Sequence, residues 1–166
     1  EERKVVTVLF ADLVGFTSRV PGTDKLLNAL FWDKSIDPVE WQPHPTAFSR
    51  LNAAGGTVTL VNKREFRGSG LTVAAHRGAE YVGADRVGER IAATVSASAH
   101  QPSLTYVYDS DLDWTGHKFG VASTQWLQQL AMVDAEAEQM REALPASTRL
   151  LVVADHGMID SPREAR

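Results

Sequence analysis

Cysteine is absent from this 166-residue chain, which excludes a disulfide framework and any thiolate zinc site. Also lacking is any apolar run near the ~20 residues needed to span a bilayer. Positive charge is not in excess. The net charge is −4, so no basic surface points to nucleic acid or to an anionic membrane. The first residues, Glu1-Glu2-Arg3-Lys4, run straight into a strand-like segment without the shape of a signal peptide. A cytoplasmic location is the expectation. What is present, 43% hydrophobic and 23% charged residues, suits a soluble globular protein, and the length fits one domain with a real core. No internal repeat, low-complexity tract or linker breaks the chain.

The pattern alternates strands and helices. Residues 5–10 read as a strand ending at Ala11-Asp12, and residues 26–32 as a short helix after the Pro21-Gly22 turn. A helix over 45–54 stops at Gly55-Gly56, and residues 57–61 form the next strand. Residues 62–83, punctuated by Gly68, Gly70, Gly78 and Gly83, read as a long loop with a short helix. A helix over 85–99 carries Val87, Ile91 and Val95 on one face, and strand 104–108 follows. Trp126, Leu130, Val133, Ala137, Met140 and Leu144 make one apolar stripe with Glu136, Glu138 and Arg141 off it. Pro145 ends that helix, and residues 150–154 are a last strand. Helices between nearly all-apolar strands indicate an α/β fold, a mostly parallel sheet covered by helices on both faces.

Two short segments carry the chemistry. Asp113-Trp114-Thr115-Gly116-His117 follows strand 104–108 after a short loop, and Asp155-His156-Gly157-Met158 follows strand 150–154 directly. Ligand sites in parallel sheets lie beyond the carboxyl ends of the strands. Carboxylate and imidazole together suit zinc or a similar divalent ion. Asp113 and His117 can aim at one ion from a tight turn or incipient helix. Asp155 and His156, though adjacent, can face one cavity where the backbone turns at Gly157. Two ions about 3.5–4 Å apart activate a nucleophile and stabilise the leaving oxygen of a phosphate ester.

The stretch from Tyr106 to Gly120 followed by Ala154-Asp155-His156-Gly157-Met158 closely resembles the nucleotide pyrophosphatase/phosphodiesterase branch of the alkaline phosphatase superfamily. The D-x-x-G-H-x-x-G and D-H-G-M signatures occur in that order, and the likeness extends back to about Leu13. It implies an incomplete alkaline-phosphatase-like core, with Asp113 and His117 binding one zinc ion and Asp155 and His156 a second. Manganese or magnesium are alternatives. It implies a small phosphate-ester or nucleotide substrate and a threonine or serine nucleophile activated by the ion pair. The resemblance also calls for a nucleophile segment before Leu13 and a further histidine downstream, which this stretch of sequence does not supply. The expectation is a shortened, weakly metal-binding hydrolase whose turnover is open, with exposed sheet edges that favour self-association.

Residues 3–18 resemble instead the opening strand of class III adenylate/guanylate cyclases, in which the residue matching Asp12 binds a divalent ion. The chain thus divides into a cyclase-like strand and junction at 1–18 and a partial phosphodiesterase domain at 19–166, one structural domain overall. Asp12 is a further candidate metal ligand, and Thr17 and Thr23 are candidate nucleophiles. A cyclase fragment would bind ATP through Asp12 and ignore His117. A folded fragment with vestigial ligands would show no turnover. Among the remaining residues, Trp32 and Trp41 read as packing residues, while Trp114, between two candidate ligands, is open to a substrate-side role. Lys63, Arg64 and Arg67 read as a solvated basic cluster, with phosphate contact as the alternative. Asp109 and Asp111 either brace the ligands or cap the loop. His44, His76, His100 and Asp160 read as structural or surface positions.

Overall fold

A computed structural model describes residues 32–100, 102–154 and 156–160, together with the backbone of three residue pairs nearer the N-terminus. Those pairs are β1 (Lys4–Val5), β2 (Ser18–Arg19) and β3 (Leu26–Leu27). There follow α1 (Pro38–Trp41), α2 (Ala47–Ala53), β4 (Thr57–Asn62), a 3₁₀ turn (Arg64–Phe66), α3 (Gly70–His76) and β5 (Glu80–Gly83). The chain continues with α4 (Val87–Ala97), β6 (Ser103–Val107), α5 (Asp111–Phe119), α6 (Thr124–Ala143) and β7 (Thr148–Arg149).

The organising element is a parallel three-stranded sheet in the order β5-β4-β6. Leu60 stands opposite Tyr81 and Tyr106, and Val61 opposite Val82 and Val107. Side chains alternate across a strand, so this register sorts the apolar residues into two layers. Val61, Val82 and Val107 face α4 and α6 in a core with Ala84, Met140 and Leu144. Val58, Leu60, Tyr81 and Tyr106 face the other way, around Phe48 of α2. The sheet is therefore covered on both faces, as the run of apolar strands requires. β1 pairs with β7 in parallel, and β2 with β3 antiparallel.

Local chemistry explains the helix boundaries. Thr46 and Ser49 cap α2 reciprocally, and Ser123 Oγ accepts the Trp126 amide at 3.1 Å to start α6. At the far end of α6, Arg141 donates to the carbonyl oxygens of Leu144 and Pro145 at 3.1 and 2.9 Å. This closes the helix where Pro145 cannot continue it.

Four readings from sequence change. The segment 62–83 is not mostly loop: besides α3 it holds β5, an edge strand of four residues that follows Gly78, ends in Gly83 and was too short to show alternation. Leu26–Leu27 is paired as β3, so no helix begins at 26. The motif after β6, read as a tight turn or incipient helix, is a complete helix from Asp111 to Phe119. Residues 150–154 follow β7 without a ladder among the described residues. Leu150 packs into the core while Leu151 and Val152 stay exposed. Strand 6–10 and residues 28–31 lie outside the described residues.

Candidate functional site

β6 ends at Val107, and α5 begins four residues later beyond the carboxyl edge of the sheet. The N-cap of α5, Ser110, makes no side-chain capping bond. Asp109 supplies it instead: its Oδ1 accepts the Asp111 amide at 2.7 Å. Asp111 and Asp113 in the first turn also suit the positive end of the helix dipole. Residues four apart share a helix face, which brings His117 Nε2 to 3.4 Å from Asp113 Oδ1. Ligand atoms around a tetrahedral zinc ion lie about 3.3–3.5 Å apart, given bonds of 2.0–2.2 Å. The spacing fits that geometry.

The second motif comes to the same oxygen. His156 Nε2 lies 4.0 Å from Asp113 Oδ1, and His156 Nδ1 is 2.8 Å from the Gly157 carbonyl oxygen. A carbonyl only accepts, so Nδ1 carries the hydrogen, and a neutral ring keeps its lone pair on Nε2, on the side of Asp113. In that tautomer Nε2 is the nitrogen able to bind a metal. The structure thus gathers Asp113, His117 and His156 from two distant parts of the sequence. Among the described residues, no three carboxylate or imidazole groups close into a cage around one point. The donor chemistry suits a divalent ion, and the set is partial. Asp155, Asp12, Thr17 and Thr23 lie outside the described residues.

Close packing locks the two motifs together. A Cβ on buried Gly116 would lie 2.4 Å from Met158 Sδ and 3.2 Å from the Trp126 ring. One turn later Gly120 ends α5 at φ +86°, with the Asp160 carboxylate where a Cβ would come. Asp160 is exposed, yet its Oδ1 accepts the Val121 amide at 2.9 Å. The returning chain therefore lies along α5 at both glycines.

Beside these side chains opens a cleft of about 410 Å³ lined by Asp109, Asp113 and His156 and by apolar side chains including Trp126, Leu130 and Met158. Next to it lies a group that the sequence did not reveal. Arg90 of α4 is 5% exposed and donates from Nε to Glu136 of α6 at 2.7 Å, with a second bond from Nη2. The same Nη2 lies 3.2 Å from Asp109 Oδ2. Glu136 was read as lying off the apolar stripe, but it falls between Val133 and Met140 on the buried face. Burial raises the Asp109 carboxyl above its ordinary value, and the hydrogen bond to Glu136 holds the Arg90 guanidinium upward.

The other candidates sort by their contacts. Lys63 pairs with Asp111, and Arg64 with Asp85 and Glu89. Arg67 lies over the Tyr81 ring at 4.8 Å and donates to the Tyr81 carbonyl at 2.8 Å. These cations are engaged within the chain. His76 is buried against Phe48 and Tyr106, at 5.4 and 5.6 Å between ring centres, and burial lowers its pKa to about 4. His44 and His100 are exposed. Trp32 and Trp41 pack edge to face at 5.4 Å. Trp114 is 57% exposed, with Lys118 Nζ 4.5 Å over its ring and Phe119 at its edge.

A parallel α/β sheet with a helix-borne Asp–His pair at its carboxyl edge gives an α/β protein with a partial alkaline-phosphatase-like core. The chain belongs to the type I phosphodiesterase/nucleotide pyrophosphatase family, whose model matches residues 12–166. That family is one of phosphate-ester hydrolases. The match takes in Asp12, Thr17 and Thr23 but not residues 3–11, which carry most of the cyclase-like segment. No curated protein and no solved structure matches the chain. Among the described residues no helix is long and apolar enough to cross a membrane.

Proposed function

We propose that this protein is a divalent-metal-dependent hydrolase of phosphodiester or nucleotide pyrophosphate bonds. The observation that carries the reading is Asp113 Oδ1 set between His117 Nε2 and His156 Nε2, 3.4 and 4.0 Å away, in a chain of this family. Asp113 and His117 would hold one ion, and His156 with Asp155 a second. Zinc suits the nitrogen and oxygen donors best, with manganese or magnesium in its place as alternatives. Such ions lower the pKa of a bound hydroxyl or water and neutralise charge on the phosphoryl oxygens. Asp12 is the candidate for an additional carboxylate, and Thr17 or Thr23 for the nucleophile. The chain's own residues fix donor orientation: Gly157 selects the His156 tautomer, and Met158 seats the second motif on α5. The open cleft beside the ligands suits a small phosphate ester or nucleotide, met in the cytoplasm.

A second reading, a folded domain with vestigial ligands, keeps the same geometry without turnover. One experiment separates the two. The purified chain is assayed with an activated aryl phosphodiester in zinc or manganese, beside His117→Ala and His156→Ala. Metal-dependent turnover that falls at least 100-fold in both variants supports the hydrolase. Turnover indifferent to both removes these histidines from the site, and no turnover in any protein leaves the vestigial reading.

A further inference from the structure

The ligand-bearing helix hangs from a buried charge cluster that lies outside both motifs. Asp109 spans two partners: one carboxylate oxygen holds the first amide of α5, and the other faces Arg90 at 3.2 Å. Arg90 is fixed in turn by Glu136 on α6, so three elements of the fold meet at one guanidinium. The Arg90 and Asp109 side chains are each 6% exposed, and Glu136 is 11% exposed. Asp109 lines the same cleft as Asp113 and His156. Because Ser110 gives no cap, the direction in which α5 leaves the sheet depends on this carboxylate. Lys63 holds the neighbouring Asp111 from the end of β4, which leaves Asp109 to set the rotation of the first turn and with it the aim of Asp113.

We propose that Asp109, clamped by Arg90 and Glu136, is the positioning residue for the Asp113–His117 pair. The planar fork of Arg90 grips Glu136 through two nitrogens while facing Asp109, a bidentate hold a lysine cannot give. Only the effect on metal rests on the hydrolase reading; the effect on α5 does not.

The test uses the whole chain with Asp109→Asn, Arg90→Lys, Glu136→Gln and, as a ligand control, His117→Ala. Each is read by cobalt(II) affinity from its visible absorption, by thermal midpoint, and by amide hydrogen exchange along α5. Asp109→Asn is expected to weaken cobalt binding about 10–100-fold, the usual effect of losing a partner that orients ligands. It should also speed exchange at the Asp111–Thr115 amides. Glu136→Gln is expected to lower the midpoint as much with a cobalt loss of under about three-fold, and Arg90→Lys to fall between. Cobalt affinity and α5 exchange unchanged in Asp109→Asn would overturn the proposal. So would affinities that merely follow the midpoint across all variants. If Asp109→Asn does not fold, Arg90→Lys carries the comparison. If the parent chain binds cobalt no better than His117→Ala, the metal reading fails, and α5 exchange alone decides the clamp.

Discussion

Replacing Gly116 by alanine opposes two effects of similar size at one atom. In a helix interior alanine is favoured over glycine by about 1 kcal/mol, so the helix alone predicts a more stable protein. The new methyl, however, would sit 2.4 Å from Met158 Sδ and 3.2 Å from Trp126 Cδ1. Overpacking of this kind costs about 1–3 kcal/mol. The net expectation is a loss of about 1 kcal/mol, or roughly 2–4 °C in thermal midpoint for a chain of this size. Function should suffer more than stability, because relief comes from moving Met158, and His156 is two residues before it. A displacement of about 1 Å at a ligand is expected to weaken metal binding or turnover by 10-fold or more. Calorimetry and zinc titration of Gly116→Ala, Met158→Ala and the double variant check this. In the double variant the methyl has room, so its midpoint should exceed the sum of the two single effects. A Gly116→Ala protein that melts higher than its parent and binds zinc equally well would refute the packing argument.

Three other outcomes follow from the same geometry. His76 has a folded pKa of about 4 against 6.5 in the unfolded chain. As pH falls the unfolded chain therefore protonates first, and stability drops between about 6.5 and 4 by up to about 3 kcal/mol. His76→Phe should remove that component of a denaturant-unfolding pH series. Trp114→Ala should weaken AMP about five-fold or more as a competitor of aryl diester hydrolysis, the low end of base–aromatic stacking, while inorganic phosphate competes as before. Leu60→Ala, at a residue 1% exposed on the central strand, facing Phe48, should cost about 2–5 kcal/mol in chemical denaturation.

The sequence foreshadowed the core better than the site's support. The apolar runs at 57–61 and 104–108 lie within a residue of β4 and β6 because both are buried on two faces and carry little else. α5 showed only as a tight turn or incipient helix because it has no apolar stripe; its helicity comes from a carboxylate two residues before it and from packing on α6. Glu136 was set off the stripe of α6 because it is charged, although it stands three residues from Val133 and four from Met140, on the buried face. Its partner Arg90, forty-six residues away, is visible only once the sheet brings α4 and α6 together. The Asp113–His117 pairing was legible from spacing alone. The approach of His156 to the same oxygen needed the fold, since nothing local in residues 150–160 fixes where that segment returns.

Arg67 illustrates what a basic side chain can do far from any substrate. Its stacking on Tyr81 and its bond to the Tyr81 carbonyl block one of the unsatisfied backbone acceptors along β5, the outer strand of a parallel sheet. An open strand border is a template on which another polypeptide can dock. The guanidinium occupies that docking point with a charge that a foreign strand would have to displace. A residue with the charge for phosphate binding is thus placed on the border of the sheet, where it covers an acceptor that an added strand would use.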